Sequence, residues 1–150
     1  MIRKAKKEDV EPCVALAIGM IAEGYYKGYG FNQDKMIRFA EQALNDEDSL
    51  YLVYQASSET EVAGFFLGNA VDTFFGDDIV AEQQLMYIDP SHRGSIKVAM
   101  TFMSEFRNWA KRKGCKDIFF APTVSVHEGF NNIAKRLGYE YIGPMFGRAV

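Results

Sequence analysis

Cysteine is scarce in this chain of 150 residues: there are two, Cys13 and Cys115, each inside an apolar pattern. A secreted fold stapled by disulfides carries a denser set, so a reducing compartment, the cytoplasm, is expected. Histidine is equally rare, with His92 and His127 alone, and no Cys or His pair stands at metal-ligand spacing, so no metal is expected. An excess of one charge is missing as well. The 17 Lys and Arg against 20 Asp and Glu leave a net charge of -3 and no broad basic field for nucleic acid. The one basic trio, Lys111, Arg112 and Lys113, reads as a solvated helix end. Long hydrophobic runs are absent too. The apolar stretch after the basic start is broken by Glu8, Asp9 and Glu11, which excludes a signal peptide, and nothing approaches a membrane span. No linker, repeat or break in composition divides the chain, so residues 1–150 read as one domain.

What is present is globular. Hydrophobic residues make up 48% and charged residues 25%, with 12 Phe and 8 Tyr pointing to bulky packing and a partly aromatic cleft. Residues 2–5 read as a strand, and Val10, Cys13, Val14, Ala17, Ile18 and Ile21 recur at helical spacing up to Gly24. Residues 25–31, rich in Tyr and Gly, read as a loop, and Asn32 as the N-cap of a second helix. Strands are expected over 50–55, 62–69 and 79–88, the last ended by Asp89-Pro90. The strongest helix follows, striped by Ile96, Ala99, Phe102, Met103, Phe106, Trp109 and Ala110 and capped by Gly114. A strand at 118–120 buried on both faces, a fourth helix closed by Gly138, and a terminal hairpin from Tyr139 to Ala149 complete the order. Strands in series followed by strand–helix alternation indicate an α/β (α+β) fold. The expected sheet is central, mixed and mostly antiparallel, with about seven strands and helices on both faces.

The informative stretch runs from Glu82 into the long helix. A strand ends, a short polar loop follows, and a helix begins. Backbone N–H groups and the positive dipole end at that point form a site for an anion such as a diphosphate. Arg93 adds a fixed charge, and Gly94 lets the backbone approach closely; taken alone, Arg-Gly reads equally as a plain turn before a helix. His92 is placed to touch phosphate rather than to act as a base.

Tyr87-Ile88-Asp89-Pro90-Ser91-His92-Arg93-Gly94-Ser95 resembles the central motif of the GNAT acyltransferase superfamily, a strand, an aliphatic-x-Pro-x-x-Arg-Gly loop and a helix. The element order agrees over nearly the whole chain, and Ala134-Lys-Arg-Leu-Gly-Tyr-Glu-Tyr-Ile-Gly143 resembles the family's late helix and strand. The Arg-Gly-Ser form is also similar to small members encoded by bacteriophages, which would place the protein in a host cytoplasm. The resemblance implies an N-acetyltransferase that moves an acetyl group from acetyl-CoA, its co-substrate, to a primary amine by direct attack. The amine belongs to a small molecule or a protein; nucleic acid and membrane are not expected as partners, and a homodimer is left open.

Residue by residue, the resemblance assigns coenzyme contacts to Met86, Tyr87, Ile88, Arg93, Gly94, Ser95, Ile96, Lys97 and Val98, with Asn131 reaching the pantetheine arm. A backbone N–H of residues 86–88 would meet the developing oxyanion. An alkyl ammonium must lose a proton before it attacks. Glu82, expected to share a strand face with Gln84, Met86 and Ile88, is the first candidate base, and His127 the second. Residues 25–31 would roof the acceptor side. Three positions depart from the family pattern: Ile96 and Val98 replace small residues, and Ala134 replaces a tyrosine that serves as acid to the leaving thiolate. Ile96 is expected to turn inward with the helix stripe, leaving Val98 as the obstacle to the diphosphate. These departures imply weaker coenzyme binding and slow transfer. They also support an alternative, a protein of this fold with little activity that serves as a binding or structural module.

Overall fold

The computed structural model of the chain describes residues 1–56, 61–94, 96–120 and 128–143. The elements are β1 (Ile2–Lys4), α1 (Val10–Glu23), α2 (Gln33–Asn45), β2 (Ser49–Gln55), β3 (Val62–Asp72), β4 (Ile79–Ile88), α3 (Lys97–Lys113), β5 (Ile118–Phe119) and α4 (Glu128–Arg136). One sheet holds the strands in the order β1-β2-β3-β4-β5. The first four pair antiparallel, and β5 joins β4 in parallel. The expected mixed sheet is therefore present, but with five strands among the described residues rather than about seven. The missing pair was the terminal hairpin: residues 139–143 form no strand, and residues 144–150 lie outside the described residues. Residues 57–60, between the strands expected over 50–55 and 62–69, also lie outside them.

Local chemistry accounts for the helix ends. The Asn32 side chain accepts the Lys35 N–H at 2.9 Å and caps α2, as its residue type suggests. Gly114 ends α3 at φ 77°, a left-handed conformation that glycine adopts without steric cost. Before α1, the buried Asp9 carboxylate accepts the Lys6 N–H at 2.7 Å and two N–H groups of Arg3 at 2.7 and 2.9 Å. Those bonds tie β1 to the start of α1. The Arg3 guanidinium holds the Asp9 carboxyl below its usual range.

Strand alternation divides the core into two layers. In β2, Tyr51 and Val53 pack under α1 and α2, whereas Leu50 and Leu52 pack under α3. In β3, Phe65 and Leu67 take the first side and Phe66 the second. Phe66 is fully buried against Phe102 and Phe106, with ring centroids 5.9 and 4.9 Å away. Each such ring contributes roughly 1.5–3 kcal/mol by leaving water. Gly68 is required by this packing, because a Cβ there would lie 2.4 Å from the Phe106 ring. On the other side the Cys13 thiol is buried beside Tyr51, and burial pushes its pKa up to about 11. β5 is shorter than expected and not buried on both faces, since Phe119 is 37% exposed.

Candidate active site

The strand β4 carries one residue more than its partner. Leu67 pairs with Leu85 and Gly68 with Gln83, so Gln84 is a bulge. A bulge resets the alternation of side chains, which changes the expected placement of Glu82. Met86 and Ile88 pack on the α3 side of the sheet, and Leu85 and Tyr87 on the α1 side. Beyond the bulge, Glu82 is paired with Asn69, two residues along β3 from Leu67, and so lies on the α1 side. It does not share a face with Met86 and Ile88, as the unbroken alternation suggested. It stands instead on the side of the sheet from which residues 25–31 spring.

The same strand offers backbone groups on its far edge. The Asp89 N–H donates to the Ala63 oxygen at 2.9 Å, which fixes the ladder between β3 and β4. In an antiparallel pair alternate residues bond to the neighbour, so Met86 and Ile88 direct their N–H and C=O groups away from β3. On that side β5 reaches only Ala81 and Glu82. Among the described residues the sheet therefore opens past Glu82, with the Met86 amide and the Ile88 N–H facing the opening. The Tyr87 backbone is turned toward β3 instead. Ile88 keeps its oxygen occupied, accepting from Arg93 Nε at 2.7 Å.

After β4, Asp89 caps a short 3-10 turn over Pro90–His92 and accepts from the Ser91 N–H at 2.9 Å and from the Ser91 hydroxyl. His92 lies against Ser91 Oγ at 2.9 Å and packs edge-on to Tyr54. The helix α3 then starts with Ile96 at its N-cap, where no side-chain oxygen is available to cap the first-turn N–H groups. Ile96 is 48% exposed, and Val98 packs into the core layer beneath α3. The expectation for these two side chains is thus reversed. The inward stripe runs Val98, Phe102, Phe106 and Ala110 at four-residue steps, and Ile96 precedes its first turn. Val98 consequently leaves the mouth of the site open. Gly94 and Lys97 are exposed beside it, and Asn131 is exposed on α4. Ser95 and His127 lie outside the described residues.

Arg93 is engaged rather than free. Its two terminal nitrogens donate to Glu23 at 2.7 and 3.2 Å, and its guanidinium lies 5.0 Å from the centre of the Tyr87 ring. The Tyr87 hydroxyl donates to the same Glu23 carboxylate at 2.6 Å. Arg93 is the first cause of a Glu23 pKa below the usual range, and burial is the first cause of a Tyr87 pKa near 12. Tyr87 reaches Glu23 because Gly19 leaves room: a Cβ at residue 19 would lie 2.7 Å from the hydroxyl. Sequence reasoning missed Glu23 and Gly19. Two signals were available: a glycine inside an apolar helix, which costs about 1 kcal/mol against alanine, and an acid at a helix C-terminus, against the dipole.

The fold that carries this site has counterparts among solved structures. Glucosamine-6-phosphate N-acetyltransferase from Arabidopsis thaliana superposes with a TM-score of 0.76 at 12% identity, over 99% of this chain and 97% of that one. A predicted acetyltransferase from Clostridium acetobutylicum with acetyl-CoA gives 0.74 at 16% identity, over 99% and 95%. The enzyme AAC(6')-Iy in complex with the bisubstrate analogue CoA-S-monomethyl-acetylneamine gives 0.74 at 19% identity, over 100% and 97%. At such identities the likeness establishes the fold. No curated protein sequence matches the chain. Residues 14–139, which run from within α1 to beyond α4, match the acetyltransferase (GNAT) family, and the chain belongs to that family.

Proposed function

We propose that the protein is an acetyl-CoA-dependent N-acetyltransferase acting on a primary amine. The observation that carries this reading is the opening of the sheet past Glu82 among the described residues, which leaves the Met86 amide and the Ile88 N–H unpaired by β5 next to the start of α3. Those strand groups fit the pantetheine arm, and the backbone N–H groups of Gly94 and of the first residues of α3 fit the diphosphate. Asn131 on α4 is the candidate for a further contact with the arm. Acetyl-CoA supplies the activated acetyl group. The Met86 N–H is positioned to donate to the thioester oxygen as negative charge grows on it. Glu82, on the acceptor side of the same strand, takes the proton from the attacking amine, directly or through one water. His127 remains the second candidate for that task. Residues 25–31 bring Tyr25, Tyr26 and Tyr29 together, with Tyr26 edge-on to both others at 5.6 and 5.4 Å, and form the acceptor's aromatic wall.

A second reading, a binding module with little transfer, is favoured by Ala134. This residue has no proton to give at the place where the family resemblance puts a tyrosine, and the leaving thiolate would then draw its proton from water. One experiment separates the two readings. Acetyl-CoA and a panel of primary amines, including kanamycin and glucosamine 6-phosphate, are incubated with the protein while free thiol is followed. Amine-dependent thiol release supports the enzyme. Coenzyme binding without release for any amine favours the module, and absence of coenzyme binding sinks both the enzyme and the coenzyme site.

A further inference from the structure

The Glu23–Arg93–Tyr87 cluster joins parts of the chain that the chemistry above treats separately. Glu23 is the last residue of α1 and leads directly into the aromatic loop at 25–31. Arg93 stands in the turn between β4 and α3, three positions before the N-cap Ile96. Its three donors are divided between the two sides: Nε holds the Ile88 oxygen at the end of β4, and the terminal nitrogens hold Glu23 at the end of α1. Tyr87 braces the pair from below, and Gly19 keeps the space that Tyr87 needs.

Stability is a poor explanation for this arrangement. The two charged side chains are 36% and 32% exposed, and ion pairs so open to water add little to folding. A glycine within α1 and an acid at its C-terminus both work against the helix. Gly19 is accounted for by the buried Tyr87 it accommodates, but the acid at the helix end and the open ion pair add little to stability, and local rules broken without such a gain are expected where function requires a geometry.

We infer that Glu23 is a positioning residue for the coenzyme site. By gripping Arg93 it locks the turn that presents the first N–H groups of α3 to the end of α1, and so couples coenzyme binding to the arrangement of the acceptor loop. Arg93 serves the diphosphate through the shape of its loop and not as a free cation waiting for phosphate. The inference rests on the coenzyme site proposed above. It also has a direction. If Glu23 positions Arg93, its loss weakens coenzyme binding; if Glu23 merely competes with the diphosphate for Arg93, its loss strengthens it.

Calorimetric titration with coenzyme A needs no knowledge of the acceptor. Glu23→Gln, which keeps the shape of the side chain, should raise the Kd roughly 5- to 150-fold, the usual range of coupling between sites. Arg93→Ala should do the same, Arg93→Lys should recover part of the loss, and Glu23→Gln combined with Arg93→Ala should be no worse than Arg93→Ala alone. Amide hydrogen exchange gives the second readout: coenzyme A should slow exchange over residues 24–32 in the parent and not in Glu23→Gln. Parent-like or tighter binding by Glu23→Gln overturns the inference while leaving the coenzyme site intact. A parent that binds no coenzyme A overturns the site and the inference together.

Discussion

Glu82 is the residue on which the proposed chemistry depends, and its replacement is the most direct test. Glu82→Gln should lower turnover by roughly 10²–10⁴-fold, with coenzyme A affinity unchanged. A Gln variant as active as the parent would make Glu82 an ordinary strand residue. Asp9 is the contrasting carboxylate, structural and far in function from the site. Its bonds to Arg3 and the Lys6 N–H are charge-assisted, so Asp9→Asn should cost about 2 kcal/mol in denaturant unfolding at neutral pH. The pH dependence follows from the sign of the shift. The folded-state pKa is depressed, so the contribution is complete above the ordinary carboxylate value and is lost as pH falls through the depressed one. The gap between parent and Asp9→Asn should therefore close in acid.

Among the elements, α1 and β4 form the pair whose fit is most exacting, and Gly19 is where it shows. Gly→Ala inside a helix ordinarily stabilises by about 1 kcal/mol. At Gly19 the new methyl would meet the Tyr87 hydroxyl at 2.7 Å, so Gly19→Ala should lower the melting temperature instead. In a Tyr87→Phe background the nearest ring carbon stands at 3.4 Å, and the same substitution should become neutral or stabilising. A double-mutant cycle by thermal melts measures the difference. The contrast also marks what sequence patterns can carry. β4 was legible to its first and last residue, because Gly76-Asp77-Asp78 and Asp89-Pro90 bound it chemically. Asn32 and Gly114 announced their caps for the same reason. The bulge at Gln84 was not legible: register depends on the partner strand, and one extra residue moved Glu82 to the other face. Nor was the Glu23–Arg93 contact, which spans 70 positions and has no local pattern. The inward turn of Val98 was misread because the stripe was counted from Ile96, which precedes the helix.

For the molecule as a whole, the fold was readable because two apolar layers sort themselves across one sheet, and the family assignment agrees with that order. Acetyl-CoA should stabilise this whole unit by binding the folded chain alone. At a hundredfold excess over the Kd the gain is about 2.7 kcal/mol, visible as a rise in melting temperature. No rise at millimolar ligand would remove the coenzyme site. The buried Cys13 thiol bears on any such measurement. The thiolate is the nucleophile that attacks an alkylating reagent, and Cys13, 2% exposed with its pKa near 11, offers none while the chain is folded. Cys115 is only partly exposed, and although burial raises its thiol as well, it is the cysteine expected to react first in the native state. A timed pulse of iodoacetamide followed by intact mass should then sort molecules into singly and doubly labelled populations. The doubly labelled fraction counts the chains that have come apart, so the wild-type protein carries its own clock for global opening.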